Sequence, residues 1–392
     1  MSLWPPTRSG TAVYSWKLYK LIAISADILI LSNHSVKDDI LEVRSAWRSG
    51  SLAVFHAIKS ALEHRRDAYH IQFEFLMFGH PTGILFLPIL AFALRLTGKP
   101  IILTIHSMAS KSFLRQIGAS RADNPYMELF QRLLYFLFPA FIVIIRTTCL
   151  LSTKVIVHNE LMQKVLVHEY KINMKKIRVI PHGIDHANHR TTESHNGENP
   201  KILFFGFLRP SKGVDFLIHS MSIVIKEFPK AKLILAGSGP YQQEAGDKYM
   251  LDIQKIVRSL ELKNSITIMR RFLSESELSD LIDSSDIIVL PYLEYFIEAS
   301  GVLCRLVDFG KALVCTRVPK FTSELNEGVD CLMVHPGDVA GLADSLVRLL
   351  RNPPLRENLA NNLRMKSTSR YWEDVAKEHV KLYRNILEGA QN

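Results

Sequence analysis

Short apolar runs alternate with amphipathic stretches along most of the 392 residues. In the first half the runs are Ala26–Ser32 (ADILILS), Ala68–Glu74 (AYHIQFE), Pro100–His106 (PIILTIH), Lys154–Asn159 (KVIVHN) and Ile177–Gly183 (IRVIPHG). In the second half they are KILFFG, KLILAG, SITIM, DIIVLP and ALVCT. Unbroken Ile, Val and Leu without polar alternation is the pattern of parallel strands covered on both faces. Helical spacing fills the gaps between the later runs, as in DFLIHSMSIVIKEF, ESELSDLID and VAGLADSLVRLLRN. The polar segment His186–Pro200 has no apolar periodicity and reads as a linker. The expected fold is α/β, with two Rossmann-like domains, residues 1–185 and 201–370, facing a cleft across linker 186–200. A last amphipathic stretch, Tyr371–Leu387, is expected to return as a helix (371–392) to the first domain.

At roughly 100–200 residues per domain the length agrees with two or three domains. A hydrophobic fraction of 47% beside a charged fraction of 22% excludes extensive disorder. The four cysteines show no CxxC spacing, so they read as reduced thiols of a cytoplasmic chain and not as a zinc site. Two prolines near the start, in MSLWPPTRSG, argue against a secretory leader.

Charge is distributed unevenly. Residues 1–185 hold 22 Lys/Arg against 12 Asp/Glu, and the remainder holds 26 against 26, so the net +10 lies wholly in the first half. Such a half suits an anionic partner. No zinc-finger, helix-turn-helix or RNP-type pattern points to nucleic acid, which leaves an anionic membrane surface. Two apolar stretches with central prolines, Gly83–Leu96 and Leu133–Ile145, lie in the same half. Both fall short of the roughly 20 residues that span a bilayer. Each reads either as a buried helix or as one lying in the membrane interface, the second with Arg132 and Arg146 at its ends.

Two loops carry chemistry. In Phe204–Ile218 (FFGFLRPSKGVDFLI) a strand ends at Gly206, and Arg209 and Lys212 precede a helix that begins after Gly213. Two cations there can hold a diphosphate by charge-assisted hydrogen bonds. In Leu290–Thr316 a loop bearing Glu294 and Glu298 leads to Ser300–Gly301, where a helix opens. Free amides at a helix start hold anions, and a carboxylate just upstream accepts hydrogen bonds from sugar hydroxyls. Together the loops make a sugar-nucleotide site.

These segments resemble the C-terminal lobe of GT-B-fold glycosyltransferases, in particular the retaining family-four group. The likeness continues through Ser2–Tyr14 (SLWPPTRSGTAVY), His70–Phe75, Ile102–Ser107, Val179–Asp185 (VIPHGID), Leu233–Pro240 and Ser323–Leu350. The resemblance implies that Arg209 and Lys212 bind the diphosphate of a donor and that Ser300, Gly301 and Val302 offer amides to it. It implies that Glu298 meets the transferred sugar, that Gly10 lets the first loop approach the phosphates, and that His106 sits by the reacting sugar. Glu74 and Tyr14 fall on the acceptor side, and His182 marks the crossing between lobes. The family pattern carries a second glutamate seven residues beyond the first, usually on the donor ribose. Here that stretch reads CRLVD (Cys304–Asp308), so Arg305 or Leu306 stands there. The family also has a full strand ahead of the first loop, whereas this chain has only Met1–Ser2 there, so either the sequence is short or an edge contribution is missing.

The expected activity is retaining transfer of a sugar from a UDP- or GDP-sugar to a glycan or lipid-linked acceptor. No metal is required by the resemblance, no cofactor beyond the donor is implied, and no DxD motif is present to hold a metal. Attachment to the inner face of a membrane is expected. The alternatives are an inactive nucleotide-sugar-binding relative, motivated by the missing acid, and a GT-B-fold epimerase or phosphorylase.

Overall fold

A computed structural model describes the chain except for Arg8, Ser49, Ser51, His80, Ser120, residues 122–124, 188–198 and 238–242, Ser369 and residues 390–392. Most of the expected linker therefore lies outside the described residues.

The first lobe holds β1 (Leu29–Ser32), β2 (Val36–Lys37), β3 (Glu42–Ser45), β4 (Tyr69–Phe73), β5 (Ile101–Ile105), β6 (Ser107–Met108), β7 (Lys154–Val157) and β8 (Ile177–Val179). The second holds β9 (Lys201–Phe205), β10 (Lys232–Ala236), β11 (Ile266–Met269), β12 (Ile287–Leu290), β13 (Ile297–Glu298), β14 (Ala312–Thr316) and β15 (Leu332–Val334). Strands β4-β5-β7-β8 form one all-parallel sheet, and β11-β10-β9-β12-β14-β15 another. The runs IILTI of β5, IIVL of β12 and ALVCT of β14 are buried at every position, as strands flanked by helices on both faces must be. Each sheet carries its own apolar core.

A third sheet, β1-β3-β2, was not foreseen, because EVRS and VK are short and polar. Residues 1–3 connect it to the four-stranded sheet. The Ser2 N–H donates to the Leu31 carbonyl at 3.0 Å, and the Gln72 N–H donates to the Met1 carbonyl at 3.0 Å. Residues 1–3 thus run between the two sheets.

Leu133–Ile145 is not a short helix bounded by two arginines. It is the centre of a 27-residue helix, Pro125–Leu151, with Pro139 inside it. Arginine is a good helix former, so Arg132 and Arg146 are carried within the helix instead of ending it. Glu128–Leu151 has mean hydropathy 2.0 and only a third of its most apolar window buried, enough by length and composition to cross a membrane. In Gly83–Leu96 the proline starts the helix Leu87–Arg95 from its first turn, where proline is tolerated.

Among the contacts that join the lobes, three set their relation. The helix Trp372–Gly389 leaves the second lobe and packs on helix Gly10–Ile22 of the first, with Tyr14 and Trp372 rings 5.2 Å apart. Strand β13 pairs antiparallel with β6, setting Glu298 opposite Ser107. Arg121 reaches Asp215 at 2.5 Å.

Candidate active site

The two loops read separately from the sequence are one structure. Gly213 has φ +65°, and a Cβ there would strike the Pro291 carbonyl, so glycine lets the 206–213 loop lie directly on the 291–300 loop. The Leu293 N–H donates to the Ser211 carbonyl at 2.9 Å, and the Ser211 hydroxyl donates to Glu294 Oε1 at 2.8 Å. Lys212 Nζ then reaches Glu294 Oε2 at 2.6 Å and lies 3.9 Å above the Tyr292 ring. The Arg209 guanidinium sits 5.1 Å from the Phe207 ring.

A residue passed over in the sequence completes this cluster. Lys320, on the short helix Pro319–Thr322, is 2% exposed and bonds Glu294 Oε2 at 2.5 Å and also Glu298 Oε1. Its only signal was a lysine held between Pro319 and Phe321 in an otherwise apolar stretch. Burial pushes the Lys212 ammonium down to about 8, against the pull of Glu294 and helped by Lys320 and Arg209. Burial raises the Glu294 carboxyl, but Lys212, Lys320 and Arg209 outweigh it and hold it well below the usual carboxylate range.

Ser300 caps the helix Gly301–Leu306, its hydroxyl accepting from the Leu303 N–H at 3.2 Å. Its side chain is thereby committed, while the amides of Gly301 and Val302 fall in the first turn, which has no intrahelical acceptors. A Cβ on Gly301 would stand 3.5 Å from His182 Nε2, so this helix start abuts the crossing between lobes.

From the first lobe, Gly10 opens helix Gly10–Ile22 with nothing within 4 Å of where a side chain would be. Thr11 donates its hydroxyl to Glu74 Oε2. Burial raises the Glu74 carboxyl, with the charge of Glu298 adding to this and Thr11 and Arg209 opposing it. Glu74 therefore shares one electrostatic environment with Glu298 and Arg209 of the second lobe.

His106 is the one residue between β5 and β6. His158 Nδ1 donates to the Ile180 carbonyl (3.1 Å), so its Nε2 accepts, 3.1 Å from His106 Nδ1, while His106 Nε2 lies 2.7 Å from Gln72 Oε1. Both of these neighbours are acceptors, so a neutral His106 donates to one of them and not to both. Burial, then His158 and His182, keep the ring neutral, well below its ordinary pKa. Tyr14 does not line an acceptor surface. It is 1% exposed, with His106, His182 and Trp372 rings 4.7, 5.1 and 5.2 Å away, because helix Gly10–Ile22 turns it into the seam between the lobes.

Arg305 and Leu306 occupy the stretch where a second acid was expected. Leu306 is buried in the core. Arg305 reaches Glu275 at 2.7 Å and Asp185 at 3.6 Å, and its guanidinium lies 5.4 Å from the Phe205 ring. Asp185 also takes Lys17 at 2.5 Å and the Trp372 indole N–H at 2.8 Å. The position is built into the joint between the lobes.

Two Rossmann-like lobes closing on such a cluster define the GT-B glycosyltransferase fold. Residues 199–352 match the family described as Glycosyl transferases group 1, and residues 35–188 match Glycosyltransferase Family 4. The chain belongs to this group of GT-B glycosyltransferases. It is similar to alpha-D-kanosaminyltransferase of Streptomyces kanamyceticus, 24% identical over 190 residues, 48% of this chain and 46% of that protein. It is also similar to mannosylfructose-phosphate synthase of Agrobacterium fabrum, 24% identical over 230 residues, 56% of this chain and 50% of that one. The match thus spans about half the length of these curated relatives. Among solved structures, Anabaena HepE in complex with UDP superposes with TM-score 0.70 at 14% identity, covering 97% of this chain and 98% of HepE. Sucrose-phosphate synthase from Thermosynechococcus elongatus gives 0.72 at 16% identity, covering 97% and 94%.

Proposed function

We propose that this protein transfers a sugar, with retention of configuration, from a UDP- or GDP-sugar to a glycan or lipid-linked acceptor. The observation that supports the reading is the ion-paired cluster of Lys212, Glu294, Lys320 and Glu298, with Glu298 paired in register with Ser107, next to His106, and Glu74 feeling the charges of Glu298 and Arg209. Arg209 and Lys212 supply positive charge to the leaving diphosphate, where preorganised charge lowers the barrier most. Glu298 accepts hydrogen bonds from the sugar, and Gly10 leaves room for the phosphates. His106, kept neutral and set against His158 and Gln72, is suited to shaping the sugar pocket more than to moving a proton. The leaving phosphate itself then assists attack from the same face, since Glu294 is held between Lys212 and Lys320 and Glu74 takes the Thr11 hydroxyl. UDP is the ligand held by the structurally similar HepE, which adds support for the donor class.

The lipid-linked acceptor is supported by exposed apolar side chains on helix Pro125–Leu151, among them Leu129, Phe136, Leu137 and Val143, with Phe92 and Leu96 at the neighbouring helix. A catalytically weak relative is the second reading, favoured by the place of Arg305 in the joint between the lobes. Thermal unfolding with UDP-, GDP- and ADP-sugars tests the donor class, because a bound donor raises Tm by mass action. Release of nucleoside diphosphate over time then separates the two readings. No stabilisation by any of the three would overturn both.

A further inference from the structure

One carboxylate oxygen in the cluster serves two ammoniums. Glu294 Oε2 accepts from Lys212 at 2.6 Å and from Lys320 at 2.5 Å. Lys212 belongs to the loop that would meet a diphosphate, whereas Lys320 approaches from the Pro319–Thr322 helix and is 2% exposed. A phosphate that takes Lys212 competes with Glu294 for it. Stripping a buried carboxylate of its ammonium is strongly unfavourable and offsets what a phosphate contact returns. The competition is relieved where the carboxylate keeps a second cation.

We propose that Lys320 is a positioning residue acting through Glu294: it keeps that carboxylate neutralised while Lys212 turns to a nucleoside diphosphate. This rests on the donor-site reading above. Its second bond, to Glu298, ties the same ammonium to the other end of the loop, next to the Glu298–Ser107 pairing. The depressed pKa of Lys212, to which Lys320 contributes, agrees with an ammonium that shares its counter-ion.

The test is calorimetric titration of UDP and of GDP into the full chain near neutral pH. In Lys320→Met, Glu294 keeps Lys212 as its one directly bonded ammonium among the described residues, with Arg209 acting through its charge, and affinity falls roughly tenfold or more, the scale of one charge-assisted hydrogen bond. Lys320→Arg keeps the charge and stays within roughly threefold of the parent. Lys320→Met combined with Glu294→Gln recovers the parent affinity, because no carboxylate remains to hold Lys212. A purely structural lysine predicts the opposite, that the double variant is as weak as the single one or weaker. Unchanged binding in Lys320→Met, or a double variant more than about tenfold weaker than the parent, overturns the proposal. The second criterion holds even where the single variant fails to fold.

If the parent binds neither nucleotide, the donor-site reading fails, and the coupling is read without ligand. Acetylation of Lys212 by acetic anhydride, followed by mass spectrometry, is half-maximal near pH 8 in the parent. The midpoint moves up in Lys320→Met, through loss of a neighbouring cation, and comes back down in the double variant, while a midpoint that stays in place in Lys320→Met overturns the coupling.

Discussion

Glu298 stands opposite Ser107 in an antiparallel pair that joins the two lobes, and Ser107 directly follows His106. The backbone, not a side-chain contact, brings the carboxylate of one lobe to the strand end of the other. A two-residue ribbon is weak alone, but here Lys320 holds Glu298 from behind and the Ile297 and Met108 side chains are buried beside it. The carboxylate is therefore placed before any ligand arrives.

Placement of this kind should appear in turnover more than in binding. Glu298→Gln is expected to lower turnover at least tenfold, the scale of losing one interaction that strengthens in the transition state, with UDP or GDP affinity nearly unchanged. Glu294→Gln should leave nucleotide affinity equal or higher, since it frees Lys212. If steady-state kinetics show the larger loss of turnover in Glu294→Gln, the assignment of the sugar-side carboxylate is wrong.

Arg209 and Lys212 should govern the diphosphate. Changing either to Ala is expected to weaken nucleoside diphosphate binding by about 1.5–3 kcal/mol. The ammonium of Lys212 is charged below about pH 8 and neutral above it, so affinity should decline as pH rises through that value. Titration calorimetry from neutral to alkaline pH measures this. In Lys212→Ala the decline should vanish, and a decline of the same size in that variant would assign it to another group.

The strands and both loops of the site could be read from the sequence because each is a local signal: an unbroken apolar run, or a cation or carboxylate between a strand and a helix. What could not be read was contact between distant segments. Nothing in ILTIHS or YFIEAS shows that Ser107 and Glu298 pair, and nothing in VPKF shows that Lys320 reaches two glutamates in a loop before it. The polar strands Val36–Lys37 and Glu42–Ser45 lacked the apolar pattern of the rest. Tyr14 shows the same limit: its loop context is local, but the C-terminal helix that buries it joins only in three dimensions.

The histidines at the seam predict an acid limit on stability. His158 is pushed down to about 3 by burial and then by His182, and His182 to about 4 by burial above all. The unfolded chain takes up protons on these rings near pH 6.5, whereas the folded chain keeps them neutral to much lower pH. In that window the unfolded state binds more protons, so stability falls as pH falls, by roughly 1.4 kcal/mol per unit for each ring at the steepest. Denaturant unfolding between pH 7 and 4 should show the slope, and His158→Asn should reduce it. A slope unchanged in that variant would place the acid sensitivity elsewhere.

The last expectation concerns the surface of the first lobe. Helix Pro125–Leu151 leaves Phe136 76% exposed and Val143 61% exposed, a poor arrangement for a face that meets only water. The lobe also carries the whole excess of ten positive charges. Arg132 is paired with Glu128 at 2.6 Å, so attraction to lipid must come from other basic residues of the lobe. Each contributes roughly 1 kcal/mol near an anionic surface, and a few acting together give reversible attachment to which apolar insertion adds. The chain should sediment with phosphatidylglycerol vesicles, less with phosphatidylcholine vesicles, and the difference should shrink as salt screens the charge. Phe136→Glu combined with Val143→Glu changes only exposed positions and should abolish sedimentation while leaving UDP or GDP affinity unchanged. Sedimentation that survives this double change, or that is absent with both lipids, would point to a soluble acceptor instead.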